Sequence, residues 1–265
     1  MDGLDGEAHR GEETGGMIAA GEGVSIAYRR RIGKPGLAGV VFMGGFRSDM
    51  TGTKATALDR FCAARGQSYL RFDYRGHGAS GGRFEDATMG DWLADSLAVL
   101  DRLTEGPQIL VGSSMGGWIA LLTALARKER VAGLVLVAAA PDFTEALVWE
   151  RLPADARDEL MAAGSLTVPS EYAPEGYRLS RRLIEEGRAH LLLDRPIPLD
   201  IPARLLHGMR DADVPWPHSL RAVEALAGTD VRLTLVKDGD HRLSTPDGLR
   251  LMTGAVAELS DGAGR

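Results

Sequence analysis

Gly112-Ser113-Ser114-Met115-Gly116 sets a serine in a G-x-S-x-G pattern, behind the apolar run Gln108-Ile109-Leu110-Val111 and ahead of a helix-forming stretch. In that context a sharp strand-to-helix turn lifts the serine side chain above a sheet edge, in a strained conformation that requires small neighbours. Gly116-Gly117 permits close approach on the helix side. The helix N-terminus then directs free N–H groups and its positive dipole end toward developing negative charge. Ser114 is the expected nucleophile for attack on a carbonyl carbon. A serine hydroxyl is a poor nucleophile near neutral pH, so it needs a base within hydrogen-bond reach and a third group that sets the base's tautomer.

On sheets that carry this turn the partners follow in the order serine, acid, histidine. His207, His218 and His241 come late enough. His207 ends an apolar run with no acid-bearing strand before it, and His218 starts a helix behind Pro215 and Pro217. Gly239-Asp240-His241 directly follows the run at 232–236, at the carboxyl edge where the serine must stand, so His241 is the expected base. Two aspartates compete as the acid in His207-Gly208-Met209-Arg210-Asp211-Ala212-Asp213-Val214-Pro215. Asp211 sits in the turn just past the strand end and is preferred, and Asp213 is read as a cap for the next helix. Asp238 and Asp240 read as solvated turn residues. A tetrahedral intermediate also needs donors aimed at its oxyanion. The Met115 N–H, next to the nucleophile, supplies one, and the loop Gly44-Gly45-Phe46 supplies the other through Phe46, with Gly45 as its rival.

These residues need a scaffold that brings several strand ends to one edge. Short apolar runs at 40–44, 69–74, 109–112, 134–138, 204–207 and 232–236 alternate with helix-like stretches at 54–65, 89–103, 115–127, 217–226 and 246–259. Continuous apolar strands alternating with helices imply an α/β protein with a mostly parallel, twisted sheet and helices on both faces. Residues 17–20 and 24–31 flank Gly21-Glu22-Gly23 as an edge hairpin. The core is expected over 17–140 and 203–259, with a charged, strand-free helical cap over 141–202 inserted after the strand at 134–138. Residues 1–16 and 260–265 read as disordered tails.

At 265 residues, with 44% hydrophobic and 26% charged residues, the chain has an ordinary globular balance. No run approaches the ~20 apolar residues of a membrane span. A net charge of −6 opposes a nucleic-acid surface. The lone Cys62 cannot form an internal disulfide or a cysteine metal site, and reads as a buried structural thiol. The N-terminus lacks the basic start of a secretory signal and the Arg-rich character of a transit peptide, so the expected compartment is the cytoplasm. No cofactor or metal is expected.

Phe72-Asp73-Tyr74-Arg75-Gly76-His77-Gly78-Ala79-Ser80 resembles the D-x-R-G-x-G-x-S stretch of many α/β-hydrolases, where it is structural, and Asp73 and His77 are accordingly kept out of catalysis. A closer set comprises Met50-Thr51-Gly52-Thr53-Lys54-Ala55, residues 71–74, 106–118 and 204–209, Val214-Pro215-Trp216 and Asp240-His241-Arg242. It resembles the subfamily of mitochondrial acyl-glucuronide esterases and palmitoyl-protein thioesterases and its bacterial relatives. The resemblance implies an α/β-hydrolase fold and cofactor-free hydrolysis of acyl esters or thioesters, in small molecules or acylated proteins. It places nucleophile, acid and base at Ser114, Asp211 and His241. The cap matches only in part, so the acyl group is the least transferable feature. The same apparatus serves proline-type aminopeptidases and C–C hydrolases, and some relatives of this fold are ligand receptors. A haloalkane dehalogenase is disfavoured, because its nucleophile is an aspartate. Trp118, Trp149 and Trp216 read as core rather than pocket. The sequence carries no signal for oligomeric state.

Overall fold

A computed structural model describes residues 11–168 and 176–262. The chain opens with strands β1 (Glu13–Ala19) and β2 (Ser25–Arg31), then alternates strand and helix through β3 (Gly39–Met43), α1 (Thr53–Arg65), β4 (Tyr69–Phe72), α2 (Met89–Leu103), β5 (Gln108–Ser113), α3 (Met115–Ala126) and β6 (Val131–Val137). An insertion carries a π-helical turn (Phe143–Val148), α4 (Ala154–Ala163), strands β7 (Ser165–Val168) and β8 (Tyr177–Ser180), and α5 (Arg181–Gly187). The alternation resumes with β9 (Ala203–Gly208), α6 (Pro217–Ala225), β10 (Val231–Val236) and α7 (Pro246–Gly262).

Eight strands form one sheet in the order β1-β2-β4-β3-β5-β6-β9-β10. The six from β4 to β10 pair in parallel, and the β1–β2 hairpin adds two antiparallel strands at one edge. Neighbouring residues on each central strand point to opposite faces. Val41 and Met43 of β3 join the core beneath α2 and α3, while Val40 and Phe42 join the one beneath α1 and α7. Burial on both faces explains why these strands read as unbroken apolar runs. Helix ends are set locally. Thr88 and Asp91 form a reciprocal capping box at the start of α2, and Gly66 ends α1 at φ 62°. Cys62 is fully buried in α1, where burial and the nearby Asp59 push its thiol up to about 12.

Three expectations are corrected. The segment expected as a tail over 1–16 enters the sheet at Glu13, whose partner in register is Arg31 and whose carboxylate meets Arg71 at 2.6 Å. Pairing and charge hold this stretch without an apolar pattern. The remainder, 1–10, lies outside the described residues. The expected C-terminal tail likewise begins as helix, because α7 continues to Gly262 and buries Ser260, whose hydroxyl accepts from Gln67 at 2.8 Å; residues 263–265 lie outside the described residues. The insertion, expected to be purely helical, holds the antiparallel pair β7–β8. At four residues each, these strands are too short for a periodic signal against the charges around them.

The insertion is clasped onto the core at several points. The Asp142 carboxylate accepts the N–H groups of Leu192 and Leu193, both at 2.8 Å, which closes the insertion's two ends together. His190 offers its carbonyl to Trp118 Nε1 at 3.1 Å, and Glu186 accepts the Gly90 N–H at the start of α2.

Candidate active site

Ser114 stands between β5 and α3 at φ 54° and ψ −121°, a region that non-glycine residues rarely occupy. Its backbone is over-determined. The N–H donates to Val137 at 2.9 Å, and the carbonyl accepts from Gly117 at 2.8 Å and Ala140 at 3.1 Å. The flanking glycines are steric necessities. A Cβ on Gly116 would lie inside the radii of the Met43 and Gly44 carbonyl oxygens, and one on Gly112 would strike the backbone of Gly116 and Gly117. Gly116→Ala is expected to destabilise the fold by about 3 kcal/mol and lower the melting temperature by roughly 10 °C, since rigid backbone on two elements must part. Thermal unfolding of the variant checks this, and an unchanged midpoint would mean the turn has slack.

The three residues singled out from different strands come together. His241 Nε2 lies 3.1 Å from Ser114 Oγ, and His241 Nδ1 lies 2.7 Å from Asp211 Oδ2. Since a carboxylate only accepts, Nδ1 carries the proton and Nε2 is the acceptor for the serine hydroxyl. The loops bearing acid and base are pressed together. A Cβ on Gly208 would collide with the Gly239 and Asp240 carbonyls, and the Arg210 N–H donates to Gly239 at 2.9 Å. Asp240 is not merely solvated, because its carboxylate accepts the Leu243 N–H at 2.9 Å and shapes the histidine loop. Asp238 instead pairs with Arg210 in the open.

Asp211 is fully subscribed. Oδ1 accepts the N–H groups of Asp213 at 2.9 Å and Val214 at 2.8 Å, and Oδ2 accepts from His241 and from His207 at 3.0 Å. Burial alone would raise this carboxyl, but the hydrogen bonds from His207 and His241, the charge of His241 and the Val214 N–H together hold it well below the usual carboxylate range. Asp213 caps no helix: α6 begins at Pro217 with Trp216 before it, and Asp213 is exposed on the cavity wall. The turn that leads toward α6 is instead held by Asp211, which accepts the Asp213 and Val214 N–H groups.

Two contributors escaped sequence reasoning. His207, rejected as a base, is fully buried. Its Nε2 faces only acceptors, Asp211 and Val214 O, and its Nδ1 lies 2.6 Å from Ser219 Oγ. A histidine four residues before the acid in an apolar strand was the available signal. Lys54, at the start of α1, donates to the Arg242 carbonyl at 2.7 Å and so ties the histidine loop to the far side of the cavity. Burial, opposed by Asp240 and reinforced by Arg242, pushes its amine down to about 8. His218, the other rejected base, reaches the Pro141 carbonyl at 2.7 Å.

The two expected oxyanion donors flank the serine. Met115 is the first residue of α3, where an N–H has no partner inside its helix. Gly45 packs against Ser114, since a Cβ there would stand 3.3 Å from Ser114 Cβ, and Phe46 follows it. Among the described residues, neither the Phe46 nor the Met115 N–H donates to another group. Both residues line a cavity of about 710 Å³ together with Ser114 and His241. The insertion contributes Phe143, Leu147, Val148, Leu152, Val168 and Leu179 to its apolar wall. Trp118, Trp149 and Trp216 do not line it. Asp211, Asp213 and His241 have the spacing of a metal-ligand group, but both Asp211 oxygens already accept two donors each.

A parallel sheet flanked by helices, with a serine turn at its carboxyl edge facing a histidine and a buried acid, defines a hydrolase scaffold. The alpha/beta hydrolase family matches residues 40–251, and the chain belongs to that family. It is 42% identical over 238 residues, 89% of this chain and 77% of the relative, to palmitoyl-protein thioesterase ABHD10, mitochondrial, from Bos taurus. Among solved structures it is similar to a hydrolase from Agrobacterium vitis S4, at 44% identity and a TM-score of 0.91 over 94% of this chain and 99% of the other. It is also similar to mouse alpha/beta hydrolase domain-containing protein 10, at 40% identity and a TM-score of 0.87 over the same shares. The expected cytoplasmic location is corrected by these comparisons, because the ABHD10 relatives from cattle, mouse and human are mitochondrial proteins. A default drawn from the missing features of a short leading stretch carries little weight against them.

Proposed function

We propose that this protein is a serine hydrolase that cleaves carboxylic esters and acyl thioesters through an acyl-enzyme. The observation that carries the reading is the continuous chain from Ser114 Oγ through His241, at 3.1 Å and 2.7 Å, to Asp211. His241 Nε2 takes the hydroxyl proton as Ser114 Oγ attacks the acyl carbonyl. Asp211 stabilises the imidazolium that forms, and the N–H groups of Phe46 and Met115 hold the oxyanion. The tetrahedral intermediate collapses, His241 returns its proton to the departing alcohol or thiol, and the acyl group stays on Ser114. Water, deprotonated by the same histidine, then releases the carboxylic acid and restores the serine. No step needs a cofactor.

The insertion acts as a cap in this reading, its apolar wall receiving the acyl chain. The palmitoyl-protein thioesterase relatives support a fatty acyl group on a small molecule or a protein. A free α-amine, which an aminopeptidase must hold, is disfavoured by the cavity's charges: Arg47, Lys54, Arg151 and Arg242 outnumber Asp49 and Asp213.

The test is hydrolysis of p-nitrophenyl esters from acetate to palmitate, beside an acyl thioester, together with labelling by a fluorophosphonate. Burial of acyl methylenes on an apolar wall is expected to raise kcat/KM by up to about fourfold each until the wall ends. A flat chain-length profile would remove the acyl-pocket role from the insertion. Absence of both turnover and labelling would sink the proposal as a whole.

A further inference from the structure

We infer that His77 is a positioning residue for the oxyanion loop: its Nε2 accepts the Arg47 backbone N–H and thereby holds the Phe46-Arg47 turn, and the Phe46 N–H with it, in the working geometry. The inference rests on the serine-hydrolase reading above.

The D-x-R-G-x-G-x-S stretch that carries His77 lies after β4, away from the nucleophile in sequence. Its side chains reach into the loop between β3 and α1 at two points. Asp73 accepts the Met50 N–H at 2.7 Å through one oxygen and the Ala79 N–H at 2.8 Å through the other, which staples the far end of that loop. His77 holds the near end, where the Arg47 N–H lies 3.1 Å from Nε2. On the other side of the ring, Nδ1 lies 3.2 Å from the Arg75 carbonyl. A carbonyl can only accept and an N–H can only donate, so these partners select one tautomer, with Nδ1 protonated and Nε2 bare.

The imidazole is only 3% exposed, and burial, opposed by the Arg75 carbonyl and reinforced by the charge of Arg47, pushes it down to about 4. It is therefore neutral at pH 7 and its Nε2 lone pair is available.

The held turn is a strained one, since Arg47 sits at φ 54°. Such a conformation persists only where its surroundings over-determine it. Packing completes the restraint. Phe46 and His77 rest edge-on against the same rings, at 4.7 Å and 5.1 Å from Phe84 and at 6.0 Å and 5.4 Å from Trp92. Among the described residues that line the cavity His77 does not appear. It acts through the placement of a neighbouring donor that would matter only once the carbonyl oxygen becomes an oxyanion.

The experiment compares His77→Phe, which keeps the ring packing but has no acceptor, with His77→Gln, whose amide oxygen reaches the Nε2 position. Full loss of one oxyanion donor costs ~10²–10³ in turnover, so its misplacement in His77→Phe is expected to lower kcat by roughly 10- to 100-fold with KM nearly unchanged. Affinity for a trifluoromethyl ketone analogue of the tetrahedral state should fall in parallel, and His77→Gln should recover most of both.

Wild-type kcat and analogue affinity in His77→Phe would overturn the inference. So would a loss confined to KM, or a His77→Gln enzyme as impaired as His77→Phe. Nitrogen NMR of the wild-type imidazole gives a readout that needs no variant: a bare Nε2 with a protonated Nδ1 supports the inference, and a protonated Nε2 overturns it. A wild-type enzyme that neither turns over esters nor takes up the fluorophosphonate instead refutes the hydrolase reading beneath it.

Discussion

Ser114→Ala is expected to lower kcat on p-nitrophenyl esters by about 10⁶-fold, the scale reached when the nucleophile of a serine–histidine–aspartate unit is removed. The size follows from what the hydroxyl alone supplies. Without Oγ no acyl-enzyme forms, and His241 has only unpositioned water to activate. The Phe46 and Met115 N–H groups and the cavity are untouched by the change, so on the proposed mechanism a residual advantage of about 10³–10⁴ over water persists. The fold should not suffer, because among the described residues the Ser114 side chain hydrogen-bonds to His241 alone, whereas its backbone is held by Val137, Gly117 and Ala140. Initial rates, a melting curve and fluorophosphonate labelling together read the outcome. A folded Ser114→Ala protein that keeps its rate would show that another group performs the attack.

Asp211→Asn is expected to cost about 10⁴ in kcat, through the wrong tautomer of the histidine. The four donors around Asp211 leave the amide no good orientation. If its NH₂ faces His241 and His207, the proton on His241 moves to Nε2 and the acceptor for the Ser114 hydroxyl is lost. If it faces the other way, it opposes the N–H groups of Asp213 and Val214, and a buried donor left without an acceptor costs about 1–3 kcal/mol. Either outcome impairs the enzyme, the first in turnover and the second also in melting temperature.

The same carboxylate bears on acid stability. Its folded pKa is depressed, so its contribution is present above the unfolded value of ~3.9 and is lost as pH falls toward the folded one. That acid-limb contribution should be absent from the Asn variant. Asp213→Asn is the control, expected to stay near wild type because its side chain is exposed on the cavity wall. An Asp213→Asn enzyme slower than Asp211→Asn would return the acid role to Asp213.

Much of the scaffold was legible because the signals are local. Strands buried on both faces show as apolar runs whatever lies beyond them, and the serine turn needs glycines at fixed offsets because β3, β5 and α3 pass within contact there. The chain order of serine, acid and histidine, with each candidate just past a strand end, was enough to single out Ser114, Asp211 and His241. The ends of the described chain were misread for the converse reason. Glu13 and Ser260 are held by partners far away in sequence, Arg71 and Gln67, and no local pattern announces them. The β7–β8 pair was lost among charges for want of length.

Taken alone, then, the amino-acid sequence determined the class of fold, the position of the serine turn and the order in which chemistry-bearing residues return to one edge of the sheet. These follow from periodicity and from steric limits that act over a few residues. Only the tertiary structure decided how the histidines divide their work. His241 faces Ser114, His207 braces Asp211 from behind, and His77 catches the Arg47 N–H. A ring nitrogen donates or accepts according to what the fold sets opposite it, and those partners lie 4, 30 and 127 residues apart. Spacing along the chain cannot encode that. The closure of strands into one sheet does, because it brings the ends of β3, β4, β5, β9 and β10 to a common edge.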